Sequence, residues 1–348
     1  TMNTRCSLLT NNLKENEAVL ISGKASIFYY SDFTSEDAYL YISKKAKVIV
    51  TDSRYTVQAQ NQAKGYEVFI GTIKDFLDST EENTIYFEEN YMTAGEYNRI
   101  CKYLGERNLV CGQELIQAPR MVKSEDEISK IAAAEALGDK AFEHILSYIK
   151  PGVKESELAL EMEFFMRNHG ASSLSFETIC ASGIRGAMPH GTASDKQIEN
   201  GDFVTFDFGC ILNGYCSDMT RTVAVGYVNR KLEEIYNIVL KAQATAIEQI
   251  KAGEACSSID ALARNIIKEA GFGEYFGHGL GHSVGLEIHE NPNLSPRSRD
   301  ILKERNVVTV EPGIYIPDLG GVRIEDVVAV TENGCINLTR SPKELIVL

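Results

Sequence analysis

The chain is short of histidine, paired cysteine, long apolar runs and positive charge, and each shortage removes a class of function. Lys and Arg number 35 against 49 Asp and Glu, for a net charge of −14. Nucleic acid is therefore excluded as a partner, because phosphate binding needs clustered cations. No apolar stretch reaches the ~20 residues of a membrane span, which excludes a membrane partner too. The opening TMNTRCSLLTNNLKENEAVL has no apolar segment long enough for a secretory signal. Eight cysteines are scattered without a CxxC pair. A disulfide framework is unusual in so long a chain lacking a secretion signal, so reduced thiols in a cytoplasm are expected. A Walker A motif is absent as well, leaving nucleotide hydrolysis without support.

What histidine there is lies close together. The stretch FGHGLGHSVGLEIHE, residues 276–290, holds three of the six histidines together with four glycines. Each glycine costs a helix roughly 1 kcal/mol relative to alanine. His278 and His282 are thus not expected to form the helical pair of an HExxH site, and Gly279 stands where that motif needs glutamate. The glycines also fail GxGxxG, because His282 and Val284 occupy the third-glycine position in the two registers.

A chain of 348 residues, 44% hydrophobic and 24% charged, is an ordinary globular composition with room for two domains. The first third alternates strand-like runs (18–22, 38–43, 47–51, 67–71, 84–88) with a helical pattern at 53–65, for which Ser53 is a candidate N-cap. This reads as an α/β domain over 1–118. A linker is expected at 119–124, and Ser124 with Glu127 forms a capping-box pattern opening a second domain over 125–348. That domain repeats itself. IKPGVKESELALEMEFFMRNHG (149–170) is matched by IKAGEACSSIDALARNIIKEAG (250–271) at an offset of 101 residues. A turn, an amphipathic helix and a β-rich region with acidic residues follow in both, which points to a duplicated unit with a site between its halves.

Those acidic residues carry the chemistry. In FVTFDFGCILNGYCSDMTRTVAV (203–225), Asn213-Gly214 is a type I′ hairpin turn. Counting back from it pairs Asp207 with Thr220 and puts Asp207 and Asp218 on one face, with backbones roughly 7–8 Å apart. Two such carboxylates in an apolar sheet are costly unless cations neutralise them. Salt bridges, with Arg221 nearest, are the alternative. Glu311 ends a valine-rich strand in NVVTVEPGIYIP, and Glu325 and Asp326 lie within GVRIEDVVAV. Four acidic strands and a histidine loop point to a dinuclear metal site, with ligands suited to Mn²⁺, Co²⁺, Fe²⁺ or Zn²⁺.

FDFG, SDMTRT, HGLGHSVGLEIHE, VEPGIY and VRIED, in that order, resemble the metal-ligand segments of the pita-bread metallopeptidases, in their Xaa-Pro peptidase branch of aminopeptidase P and prolidase. ISGKASIFYYSDF and VTDSRY resemble the creatinase-type amino-terminal domain. The resemblance implies an α/β creatinase-like domain and an α+β pita-bread catalytic domain with an internal pseudo-twofold duplication. It implies Asp207, Asp218, His282, Glu311 and Glu325 as ligands of two divalent ions, manganese foremost, with Asp218 and Glu325 bridging. His190 and His289 match substrate-facing catalytic histidines, and Glu311 would also shuttle a proton. The hydroxide formed between the two metals would attack the Xaa–Pro bond of proline-containing peptides. A homodimer is implied as well. Some family dipeptidases hold the substrate carboxylate with an arginine where Asn293 stands here. A neutral amide cannot form that bidentate pair, which favours an Xaa-Pro aminopeptidase over a strict dipeptidase. His278, Arg297 and Arg323 are the further candidates for binding substrate; His144 and His169 read as structural.

Overall fold

The computed structural model describes residues 2–35 and 37–348. The chain divides into two compact units that meet in sequence between Arg120 and Met121. The first contains, in order, α1 (Met2–Thr10), β1 (Glu17–Ile21), α2 (Lys24–Ser31), β2 (Ala38–Ser43), β3 (Lys47–Thr51), α3 (Thr56–Gln62), β4 (Glu67–Ile70), α4 (Ile73–Leu77), β5 (Thr84–Phe87), α5 (Ala94–Leu104), β6 (Asn108–Cys111) and α6 (Gln113–Met121). Its six strands form one sheet in the order β4-β3-β2-β1-β5-β6. Pairings β1–β2 and β2–β3 are antiparallel and the outer ones parallel. All five residues of β1 are buried, and Ala18–Ile21 make the continuous apolar run of a covered central strand.

Two local expectations change. The helix expected at 53–65 starts with a 3₁₀ turn and is capped by Asp52, whose side chain accepts the Arg54 amide at 2.9 Å. Ser53 already lies inside the turn. In the expected linker, Pro119 to Met121 form the last turn of α6. The Pro119 carbonyl accepts the Tyr29 hydroxyl at 2.9 Å, an anchor that ties this end of the helix down. Only Val122 to Ser124 separate it from the next helix, where the Ser124–Glu127 capping box is formed.

The second unit contains α7 (Glu125–Ile145), α8 (Glu155–Asn168), β7 (Ser173–Leu174), β8 (Ile179–Ser182), β9 (Phe203–Phe208), β10 (Cys210–Leu212), β11 (Tyr215–Cys216), β12 (Met219–Ala224), α9 (Arg230–Gln249) and α10 (Cys256–Glu269). Then come β13 (Gly281–Ser283), β14 (Glu290–Leu294), β15 (Val307–Val310), β16 (Gly313–Ile316), β17 (Gly320–Arg323), β18 (Asp326–Val330) and β19 (Cys335–Asn337). The duplication is visible in the backbone. Helices α8 and α10 each have 14 residues. Gly152 and Gly253, ahead of them, both take φ 92°, which favours glycine. Their amides donate to Ile198 and Leu302 carbonyls, both at 2.8 Å. Antiparallel strands follow in each half, β8-β9-β12 in one and β13-β15-β18 in the other. Each half also has its own core: α8 buries Leu158, Met162 and Met166 against Phe206 and Phe208, and α10 buries Ile259, Ala263 and Ile267 in the cluster containing Val308 and Val328.

The Asn213-Gly214 turn has positive φ at both residues, as type I′ requires. Leu212 pairs with Tyr215, and Asp207 with Thr220, in one unbroken register. Gly209 therefore stands opposite Asp218, in the gap between the two halves of the hairpin. A Cβ on Gly209 would lie 2.0 Å from the Ser217 carbonyl oxygen, so only glycine allows the strands this approach.

Candidate metal centre and active site

Asp207 lies in β9, Asp218 immediately before β12, His282 in β13, Glu311 immediately after β15 and Glu325 immediately before β18. All five side chains line one cavity of about 650 Å³ in the second unit. Ligand atoms of Asp218, His282 and Glu325 lie within 4.8 Å of one another. His282 Nε2 is 3.5 Å from Asp218 Oδ2 and 3.3 Å from Glu311 Oε1. Glycine again lets the backbone close: a Cβ on Gly281, beside His282, would lie 2.1 Å from the Thr309 carbonyl oxygen.

The electrostatics are those of a cation site. Burial pushes the Asp218 carboxyl well above its usual range, and the neighbouring Glu325 adds to this. Glu325 is likewise raised by burial and by Glu311. Asp207 is raised by burial despite its pairing with Arg323. For Glu311 burial acts upward, but the His282 hydrogen bond and charge outweigh it and hold the group low. His282 shows the converse, burial acting downward and Glu311 raising it overall. Among the described residues, Asp207 Oδ1 is buried without a hydrogen-bond partner. A buried orphan oxygen beside three more carboxylates and an imidazole is a donor set that fits divalent metal.

Arg323, expected as a substrate-binding candidate, lines the cavity and is paired with Asp207. Its guanidinium donates to Asp207 Oδ2 at 2.6 Å, the Tyr315 hydroxyl at 2.8 Å and Thr220 Oγ1 at 3.1 Å. Burial and a shared carboxylate leave it committed to the site wall. His278 joins the same chain, with Nε2 2.8 Å from the Tyr315 hydroxyl, and it lines the cavity. Burial lowers its pKa. Arg297 is exposed and does not line the cavity, whereas Asn293 and Ser295 do. Arg221, the alternative partner for Asp207 and Asp218, binds neither. It donates to Asp326 Oδ1 at 2.7 Å and to four backbone carbonyls. Asp326 thereby has a structural partner, while its neighbour Glu325 faces the cavity.

His190 and His289 both line the cavity. The His289 ring centroid is 4.4 Å from that of His282, and burial followed by the His282 charge lowers its pKa. His144 is remote, with Nε2 2.7 Å from Glu161 and its ring stacked on Phe165, which also stacks on His169. Residues 281–285, GHSVG, have the GxSxG spacing of a serine-esterase elbow. Ser283 is nevertheless fully buried in β13 and donates to the Val307 carbonyl at 2.7 Å, so it is no nucleophile.

Three residues of the site carry no sequence assignment. Tyr315 lies within VEPGIY but has a role only once Arg323 and His278 are seen around it. Thr220 donates to Glu325 Oε2 at 2.6 Å. Glu135, in α7, accepts the Asp218 amide at 2.8 Å and the Thr339 hydroxyl at 3.1 Å, and burial raises its carboxyl to about 8. An acid within the alanine run AAAEALG was the signal available for it.

The profile for metallopeptidase family M24 matches residues 129–332, and that for the creatinase/prolidase N-terminal domain matches 6–122. An Xaa-Pro dipeptidase of Pyrococcus horikoshii is 39% identical over 349 residues, covering 99% of this chain and 99% of that protein. The solved structure of an Xaa-Pro dipeptidase from Bacillus anthracis is 45% identical, with TM-score 0.97 and 100% of both chains covered. An X-Pro aminopeptidase from Thermotoga maritima, 40% identical, gives TM-score 0.89 over 95% of this chain and 97% of that one. No helix among the described residues is long and apolar enough to cross a membrane.

Proposed function

This chain belongs to metallopeptidase family M24, as a hydrolase of the Xaa-Pro peptidase branch, and from that premise we propose that it acts as an Xaa-Pro dipeptidase. The observation carrying the proposal is the buried acidic cluster around His282, open to a cavity that also holds His190 and His289. The asparagine at 293 pointed first to an aminopeptidase. Likeness to two proteins named Xaa-Pro dipeptidase, along essentially the whole chain, puts the dipeptidase reading ahead of it.

In this reading Asp207, Asp218, His282, Glu311 and Glu325 would hold two divalent ions. Four carboxylates against the Arg323 guanidinium leave three net negative charges. One divalent ion would bring the cluster to −1 and a second to +1, so charge balance does not choose between them; the resemblance of the ligand segments supports two, with manganese the proposed metal. Such ions supply Lewis acidity toward the scissile carbonyl and lower the pKa of a bound water. The chain's own residues do the rest. His190 and His289 donate hydrogen bonds to the substrate as charge develops on its carbonyl oxygen. Glu311, kept ionised by His282, accepts the proton of the attacking water on a carboxylate oxygen and passes it to the proline nitrogen. Arg323, itself bonded to Tyr315, holds Asp207 in place. The proline nitrogen carries no N–H, so recognition falls to cavity shape rather than to a backbone acceptor. Phe176, Ile179 and Pro189 give it an apolar wall. The proposal includes a cytoplasmic homodimer, and sedimentation of the metal-loaded protein checks the assembly.

One observation favours the aminopeptidase as a second reading. Among the described residues, Arg323 is the one Lys or Arg lining the cavity, and it is already paired. A dipeptide's carboxylate would then fall to the wall's histidines, Asn293 or Ser295. The test gives Mn²⁺-loaded protein Ala-Pro and Ala-Pro-Phe-Ala together, with a chelator control, and reads the products by mass spectrometry. Cleavage of Ala-Pro alone supports the dipeptidase; release of Ala from the longer peptide establishes the aminopeptidase. Inertness toward both, with metal bound, overturns the proposal.

A further inference from the structure

His190 sits on a loop between β8 and β9 rather than on a strand, which raises the question of what holds it still. Glu155, the first residue of α8, is fully buried and does not spend its carboxylate on its own helix. Oε1 accepts the Ser182 amide at 2.7 Å and the Ser182 hydroxyl at 2.8 Å. Oε2 accepts the Ser194 amide at 3.1 Å, the Ser194 hydroxyl at 2.7 Å and the Arg185 guanidinium. Both ends of the segment 182–194 are thereby gathered on one carboxylate, with His190 between them. Arg185 adds a cross-tie, donating from Nη2 to the Thr192 carbonyl at 2.9 Å, two residues beyond His190. Thr192 in turn receives a backbone bridge from Ile179, and both line the cavity.

The other half of the duplication has a comparable device. Asp260, buried on α10, pairs with Arg264 at 2.7 Å and accepts the Leu280 amide at 3.0 Å. Arg264 donates to the carbonyls of Phe276 and His278 at 3.0 and 2.7 Å. In each half an acid on the equivalent helix, paired with an arginine (Arg185 within the loop itself, Arg264 on α10), gathers a segment that carries histidine to the cavity. A carboxylate taking five donors is costly to bury if any is lost. A loop needing only to be closed could use apolar packing instead.

We infer that Glu155 is a positioning residue for the Xaa-Pro hydrolysis: through Ser182, Arg185 and Ser194 it fixes the loop that aims His190 at the substrate. The inference rests on the reading that His190 faces substrate. Misplacing a positioned group by about 1 Å costs on the order of a hundredfold in rate.

The test is a double-mutant cycle on metal-loaded full chain, with Ala-Pro as substrate. Glu155→Gln keeps the shape but puts an amide N–H against donors. Its kcat/KM is expected to fall roughly tenfold to a hundredfold, with unchanged metal content, since none of the five proposed ligands lies in the loop. In a His190→Ala background the same substitution should cost within about twofold, because nothing is left to misplace. Equal losses in both backgrounds, or no loss in folded Glu155→Gln protein, overturn the inference. If Glu155→Gln does not fold, Ser194→Ala and Arg185→Met are put through the same cycle and decided by the same criterion. His190→Ala protein as active as the unaltered chain overturns the role of His190 itself, and the inference with it.

Discussion

Replacing Arg221 by methionine tests whether the two halves of the catalytic unit are held together at the seam beside the acidic cluster. The guanidinium is fully buried and makes five hydrogen bonds: to Asp326, and to the carbonyls of Thr220, Glu325, Ser341 and Pro342. These join β12 of the first half to the start of β18 in the second and to the C-terminal segment. Methionine has similar length but no donor. Asp326 keeps Lys343 at 2.8 Å, Asn337 at 2.8 Å and Gln243 at 3.0 Å, so its charge stays compensated. Thr220 O keeps the Glu325 amide at 3.1 Å. The main loss is thus the solvation of the remaining carbonyls, each costing roughly 1–3 kcal/mol when left bare. With Asp326 still compensated, the three carbonyls of Glu325, Ser341 and Pro342 at that rate give about 3–9 kcal/mol. At a urea m-value of ~3 kcal/mol/M the midpoint falls by roughly 1–3 M. The assay is urea unfolding of Arg221→Met followed by far-UV circular dichroism, with chelator present so that metal binding does not mask the change. A midpoint within about 0.3 M of the unaltered chain, which corresponds to ~1 kcal/mol, would refute the reasoning and reduce the network to an ornament of the seam.

Gly281→Ala puts a Cβ against backbone that cannot rotate away, so β13 and β15 must part next to His282. Calorimetric titration with Mn²⁺ should show affinity falling by roughly 10–100-fold, as when groups supporting ligands are disturbed; unchanged affinity contradicts the geometry. Asp218→Asn should abolish hydrolysis of Ala-Pro while far-UV circular dichroism stays native, and activity retained with both metals bound removes Asp218 from the bridging role. In metal-free protein, burial and neighbouring carboxylates push Asp218 and Glu325 above the usual range, so they hold protons to higher pH than free carboxylates do. Metal requires them ionised, so binding expels protons and affinity rises with pH. Titrations in buffers of different ionisation heat should give different apparent enthalpies, and identical values sink that account.

How much of this was legible depended on the distance over which each interaction acts. The hairpin register was readable because Asn213 and Gly214 fix a turn whose consequences run straight to Asp207 and Thr220 by counting. The capping box at Ser124 was readable for the same reason. The duplication showed because two 14-residue helices and their leading glycines repeat at a constant offset. Pairings of charge were not readable. Arg221 is the nearest cation in sequence to the hairpin aspartates and their partner in the salt-bridge alternative, yet it binds Asp326, 105 residues on, and Arg323 takes Asp207, 116 residues back. An arginine's side chain reaches whatever acceptor folding brings beside it, and the count along the chain says nothing of that. Glu155 is the sharpest case. In the sequence it is one more acid at a helix start, where the macrodipole alone would explain it. Its chemistry is set by Ser182 and Ser194, and those become its neighbours only when β8 and the loop beyond it fold back over α8. The residues that touch metal or substrate lie in short motifs; those that hold them in place are distributed across the duplication and become visible only in three dimensions.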